Sequence, residues 1–187
     1  QDIAKKLELK QHVLFKKSFT RDNLSYIVEH TENKWDRLKT LFSKVQGTGL
    51  VYVKSRRRTV EIAEFLSKNG IKADYYHAGL DAQLRTNKQD DWKSGRTPVI
   101  VCTNAFGMGI DKPDVRLVVH EQKPDTPEAY YQEAGRAGRD GNRAYCVLLW
   151  HESDFMDDQR QLEIKYPAAK EIERIYEMIC NYLRVAV

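Results

Sequence analysis

Gly49-Leu-Val-Tyr-Val53 is a short apolar run, residues 56–69 are amphipathic, and Ala73-Asp-Tyr-Tyr76 is a second short run. The middle stretch turns Val60, Ala63 and Leu66 inward, and Gly70 stops it as a helix is stopped. Strand, helix, strand is the unit of a parallel sheet. The same alternation extends outward. Leu24–His30 alternates as a strand does, and residues 34–45 place Trp35, Leu38, Leu41, Phe42 and Val45 at helical spacing. Asp81 caps a polar helix running to Ser94, Val99–Cys102 and residues 115–121 are strands, and residues 144–149 close the series. Thr126 and Pro127 open a further helix as N-cap and first turn. The pattern predicts an α/β fold whose mainly parallel sheet is covered by helices on both faces. Ligands of such sheets bind beyond the carboxyl ends of the strands, so chemistry is expected in the loops after Val53, Tyr76, Cys102 and Glu121.

The chain has 187 residues, enough for one well-filled core and a short extension. Its formal charge of +4 is compatible with a nucleic-acid partner without requiring one. No run of about 18 apolar residues is present, so no membrane partner is expected. The absence of an initiating Met and of a secretory signal suggests a piece of a longer intracellular protein, in bacterial cytoplasm and nucleoid or a eukaryotic nucleus. Cys102, Cys146 and Cys180 are far apart and form no C-x-x-C pair, which argues for reduced thiols, with Cys102 and Cys146 as packing residues. After Trp150 the texture becomes charged and helical, with Ile172, Ile175, Tyr176, Ile179 and Leu183 on one stripe. The divisions read from this are a linker over 1–20, one domain over 21–150, and the helical start of a following region over 151–187.

Several chemistries are excluded by what is missing. There is no G-x-x-x-x-G-K-[ST] phosphate loop, since Val53 precedes Lys54-Ser55 where the last Gly is needed. His120-Glu121 and His151-Glu152 lack the second His of a zinc-protease helix, and Lys112 replaces the third Gly of a dinucleotide fingerprint after Gly107-Met108-Gly109. Taken alone, the chain has no motif for binding and cleaving a nucleoside triphosphate, and no metal ligands are assigned.

What it has is Gln132-Glu-Ala-Gly-Arg-Ala-Gly-Arg-Asp-Gly141. If residues 126–141 form one helix, Tyr130, Ala134 and Ala137 share a packing face. Gln132, Arg136 and Arg139 then line another at i, i+4 and i+7. Gly135 and Gly138 each cost about 1 kcal/mol against Ala in a helix, so a close neighbour, backbone or ligand, is expected there. Two guanidiniums a turn apart can grip a polyphosphate, because the planar fork bonds phosphate oxygens in pairs and keeps its charge. A solvated arginine face ending in a glycine turn is the other reading of the same residues.

The run from Tyr130 to Gly141 resembles motif VI of superfamily 2 helicases in its RecQ form. Residues 99–114, Val-Ile-Val-Cys-Thr-Asn-Ala-Phe-Gly-Met-Gly-Ile-Asp-Lys-Pro-Asp, resemble motif V. Residues 49–56 resemble motif IV, and Tyr76-His-Ala-Gly-Leu80 the short element after it. The resemblance covers about residues 20–150 and implies the second, RecA-like three-layer lobe of an ATP-dependent 3′–5′ DNA helicase of repair or recombination. It implies that Arg136 and Arg139 reach ATP phosphates held by an N-terminal lobe, with Arg139 as arginine finger. Gln132 would couple nucleotide to DNA, and Asp111 and Gly109 would join the nucleotide site. It further implies that Ser55, Arg56, His77, Gly79, Thr103 and Asn104 face single-stranded or junction DNA. Helix capping is the plainer role for Ser55 and Thr103; Arg57 and Arg58 read as solvated, and Trp35 and Trp92 as core. ATP and Mg2+ would be bound mainly by the N-terminal lobe. Cys180-Asn-Tyr-Leu-Arg departs from the family's usual approach to its zinc module, which leaves zinc open, and Asp22 stands where many relatives have Pro. An ATP-independent nucleic-acid-binding module and the lobe of a related translocase or RNA helicase are the competing readings.

Overall fold

The computed structural model describes residues 5–8, 13, 20–106 and 109–183. The expected linker over 1–20 and the Gly107-Met108 pair therefore lie largely or wholly outside the described residues. Six strands, β1 (Leu24–His30), β2 (Thr48–Tyr52), β3 (Ala73–Tyr76), β4 (Val99–Cys102), β5 (Val115–His120) and β6 (Ala144–Trp150), form one sheet in the order β1-β6-β5-β2-β4-β3. Every pairing is parallel. All carboxyl ends therefore share one edge of the sheet. The helices are α1 (Lys34–Lys44), α2 (Arg56–Lys68), α3 (Ala82–Lys93), α4 (Pro127–Ala134), α5 (Glu152–Lys165) and α6 (Ala169–Leu183).

The two faces of the sheet carry separate cores. Leu38, Leu41 and Phe42 of α1 and Ile62, Ala63 and Leu66 of α2 pack on Val51, Val101, Val119 and Val147. On the other face Trp92 of α3 and Ala134 of α4, with Phe106 and Ile110, pack on Leu50, Ile100, Val118 and Cys146. This is a three-layer α/β sandwich, as the alternation of runs predicts. β2 from Gly49, β4, and β5 from Leu117 to Val119 read as apolar runs because they are buried on both faces. Trp92 is buried, and its indole N–H donates to Gly49 O at 3.3 Å. Cys102 and Cys146 are fully buried, and burial raises both thiol pKa values.

Three expectations change in detail. The inward stripe of α2 is Thr59, Ile62, Ala63 and Leu66; Val60 is only half-buried. β1 is an edge strand, and of its residues only Leu24 is buried, so its alternation is not an inside–outside pattern. β5 ends at His120, and the residue after it, Glu121, is fully buried and bonded by the Arg58 fork at 2.5 to 3.1 Å. Arg58 is thus the counterion of an interior carboxylate and not a solvated charge.

Candidate nucleotide and nucleic-acid site

α4 starts where Thr126 Oγ1 accepts the Ala129 N–H at 3.1 Å, with Pro127 in its first turn. It ends at Ala134, well before Gly141. The expectation of one helix through residue 141 is therefore corrected. Past Gly135 the bonds tighten to i→i−3, from Arg136 N to Glu133 O and from Ala137 N to Ala134 O. Gly138 then takes a left-handed φ of 55° and gives its N–H to Val115 O at 2.8 Å. Asp140 N–H goes to Pro113 O at 3.2 Å. The segment leaves the helix because the start of β5 offers acceptors that a continued helix would not use.

Both glycines meet a close neighbour, and it is the chain itself. A Cβ on Gly135 would lie 2.8 Å from Tyr131 O, and one on Gly138 would lie 2.6 Å from Asn23 Nδ2 and 2.8 Å from Asn142 O. Asn23 Nδ2 donates to Gly138 O at 2.7 Å and to Asn142 O at 2.9 Å, while Arg21 reaches Gly135 O at 3.2 Å and also Gly138 O. Arg116 pairs with Asp140 and holds its carboxyl down to about 2. Sequence reasoning missed these braces: Arg21 and Asn23 lie in an irregular stretch before β1, where no periodicity singles out a residue.

Arg136 and Arg139 still converge, through the turn and not along a helix face. Together with Trp92, Phe106, Ile110, Lys112 and Val115 they line a shallow cleft. Arg136 turns inward toward Tyr52, whose phenol is pushed well up by burial and pulled back by that guanidinium. Arg139 is exposed, and its Nη1 lies 2.9 Å from Asp111 Oδ1. Asp111 is itself 80% exposed, at the end of the β4–β5 loop that Phe106 and Ile110 anchor in the core. Gly109 has a φ of 75° with open space where a Cβ would stand. Gln132 is exposed on α4 and does not line the cleft. Beneath the segment, His120 Nε2 and Glu133 form a buried pair at 2.9 Å, a contact that the strand and helix patterns gave no sign of.

The second group sits at the carboxyl ends of β2, β3 and β4. Ser55 caps α2, its Oγ accepting the Arg58 N–H at 3.1 Å. Arg56, the first residue of α2, lays its guanidinium over Gly79, so that a Cβ there would lie 2.8 Å from Nη1 and 3.3 Å from His77 Nδ1. Any larger residue at position 79 would displace Arg56. The His77 ring stacks on Tyr75 at 5.9 Å; burial first, and Arg56 second, hold its pKa below the usual value, so it is neutral at pH 7. Thr103 N–H donates to Tyr76 O at 3.3 Å, and Thr103 O accepts the Phe106 N–H at 3.1 Å. It opens a turn, not a helix, since among the described residues no helix separates β4 from β5; the capping role read for Thr103 is corrected. Asn104 is exposed in that turn. Ser55, Arg56, His77 and Gly79 are thus brought side by side, with Thr103 joined to them through Tyr76.

Comparison with known proteins places this geometry. Residues 33–141 match the model of the helicase conserved C-terminal domain. The chain is 43% identical over 167 residues to the ATP-dependent helicase SGS1 of Saccharomyces cerevisiae, covering 87% of this chain and 11% of that protein. It is 39% identical over 183 residues to the probable ATP-dependent DNA helicase RecS of Bacillus subtilis, covering 96% of this chain and 37% of that one. The chain therefore spans about a tenth to a third of the curated relatives it matches. Among solved structures, Dbp5 of S. cerevisiae superposes with a TM-score of 0.71 at 22% identity, over 96% of this chain and 50% of that one. That likeness concerns the RecA-like fold alone.

Proposed function

Because this chain belongs to the helicase conserved C-terminal domain family, we propose that it is the C-terminal RecA-like lobe of a RecQ-type ATP-dependent DNA helicase. In this reading it completes a nucleotide site whose phosphate loop and Mg2+ carboxylates belong to an N-terminal lobe of the same protein. One observation carries the reading: Arg139 and Asp111, assigned to the nucleotide on separate grounds, meet at 2.9 Å beside Arg136. The shallow cleft there, with Arg136, Arg139 and Lys112 along it, has the charge of half a site.

The residues then divide the work. Arg139 is the mobile group. Its pairing with an exposed carboxylate is weak, so a triphosphate presented by the other lobe can draw it away. Asp111, released, is free to accept a hydrogen bond from a ribose hydroxyl. Arg139 offers a planar fork to charge growing on the transferred phosphoryl group, and Arg136, set deeper, adds a second positive charge. Ser55, Thr103 and Asn104 offer small polar groups to a DNA backbone, Arg56 offers charge, and neutral His77 offers a hydrogen bond but no charge. Gln132, exposed on α4 outside the cleft, is the group left to couple the nucleotide to the DNA. Loss of the γ-phosphate removes what holds Arg139 across the gap, so the lobes part and their DNA contacts step along one strand. By this division the fragment alone is inactive as an ATPase.

The test is Arg139→Ala in the full-length protein. DNA-stimulated ATP turnover is expected to fall by roughly 10³- to 10⁵-fold, the range found for arginine fingers, with DNA affinity kept. Unchanged turnover overturns the finger role. Asp111→Ala is expected to raise the KM for ATP more than it lowers kcat.

A further inference from the structure

β1 and β6 pair in register, so His30 lies beside Trp150 at their shared carboxyl end. Thr31 N–H donates to Trp150 O at 3.0 Å and fixes the chain just beyond. Glu32 follows on one side and His151-Glu152 on the other. His30 Nε2 lies 2.8 Å from Glu152 Oε2 and 4.0 Å from Glu32 Oε1. His151 Nε2 lies 3.1 Å from Glu32 Oε2 and 3.7 Å from Glu152 Oε2. Imidazoles and carboxylates alternate around a small ring. We propose that His30, Glu32, His151 and Glu152 bind one divalent transition-metal ion of the zinc class, which clasps α5 to the edge of the sheet.

The spacing fits first. In a tetrahedral shell with bonds of about 2.0–2.2 Å, ligand atoms lie roughly 3.3–3.6 Å apart. The four separations straddle that value, and the shell closes when the partly exposed His151 ring turns toward the other three ligands. His30, Glu32 and Glu152 already bring one ligand atom each within 4.8 Å of the others. The donor set decides the ion: two imidazole nitrogens favour zinc, cobalt or nickel over magnesium and calcium, which take oxygen. Charge points the same way. Among the described residues, the ion pairs of Glu32 and Glu152 are with these two imidazoles and with no Lys or Arg. With both rings neutral the group carries two negative charges, which one divalent cation balances.

The rings are also held. His30 meets the edge of Trp150 at 4.8 Å and stacks near His151 at 6.0 Å. Ligation through His151 Nε2 requires a proton on Nδ1, and Ser153 Oγ stands 2.9 Å from Nδ1 to accept it. Ser153 N–H, which now donates to that nitrogen at 3.2 Å as part of the α5 cap, gives up this bond on ligation.

The experiment strips the chain with a chelator, removes the chelator, and titrates Co2+ while recording its visible d–d absorption; Zn2+ is then added in competition. One Co2+ per chain, displaced by Zn2+, is expected, together with a rise in Tm. His30→Ala, His151→Ala and Glu32→Gln should each weaken binding at least about tenfold, no less than the loss usual for a second-shell partner. Cys180→Ser should not change it. Absence of saturable binding overturns the site, as does a titration unaltered in His30→Ala. Glu32 is 81% exposed, so Glu32→Gln leaves the fold intact and keeps the test decisive should a histidine variant misfold.

Discussion

The sandwich from β1 to β6 and the helical extension from α5 onward are held by opposite means. In the sandwich, Leu38, Leu50, Ile62, Leu66, Ile100 and Val118 are wholly buried between layers. α5 has no buried residue, and its large apolar side chains point outward, with Phe155 78% and Met156 74% exposed. What ties it down is charge. Lys34 Nζ meets Asp154 at 2.5 Å and Glu121 O at 2.8 Å, Lys54 and Lys123 share Asp158 at 3.0 and 2.7 Å, and His30 meets Glu152. α6 likewise exposes Ile172, Ile175, Tyr176 and Ile179 by half or more. Area-dependent burial is insensitive to salt, whereas ion pairs between partly exposed groups are screened over about 10 Å at 0.1 M. One chain therefore carries a rigid platform and an arm whose attachment depends on the solution.

The largest effect that separates the two is a cavity. Leu50→Ala, at the centre of β2, should cost about 2–5 kcal/mol in denaturant unfolding. Phe155→Ala, a bigger truncation, should stay within about 0.5 kcal/mol because its ring touches little. A cost above 1 kcal/mol for Phe155 would mean that α5 is docked by apolar contact after all, and the comparison would fail.

Lys34 is the residue that belongs to both regions, being the first of α1 and the anchor of Asp154. Lys34→Met strips a buried donor from Glu121 O and a counterion from Asp154, which should cost about 1–3 kcal/mol. If the loss belongs to the arm, amide exchange in α5 rises more than in β5. Equal increases would place Lys34 in the platform's own stability.

The two regions also differ in how far a sequence can be read. The strands and α1 to α3 follow from local patterns, because each apolar run finds its partner layer within the same alternation. Failure begins where the partner is distant. Residues 126–141 have helical spacing, yet the chain departs at Gly135 because Val115 and Pro113 offer acceptors to Gly138 and Asp140. Arg58 reads as solvated until Glu121, the residue after β5, is seen beneath it. The stripe on α6 is legible, but a stripe does not say what covers it. In the candidate site, residue types and spacing singled out Arg136 and Arg139, and the resemblance supplied Asp111. That Arg139 meets Asp111 while Gln132 stands apart depends on the turn after Ala134, which no local pattern encodes.

The smallest expected effect bears on the arm alone. Asp158 is drawn two ways: burial raises its pKa, while hydrogen bonds from Lys123 and then Lys54 outweigh this and leave it below 3.8. A carboxylate lowered in the folded state contributes stability above its unfolded value, and that stability is lost as pH falls through the folded one. The α5 attachment should therefore loosen below pH 3.8, before the sandwich unfolds, and should loosen at neutral pH as salt approaches 1 M. Asp158→Asn should weaken both dependences, leaving those of Lys34–Asp154 and His30–Glu152, at less than about 1 kcal/mol, because the lysines that it loses are partly exposed. The measurement is α5 amide exchange against pH and NaCl, with β5 as internal reference. If α5 protection in Asp158→Asn still falls with salt as in the parent chain, the arm is held elsewhere, and Lys34–Asp154 becomes its principal tie.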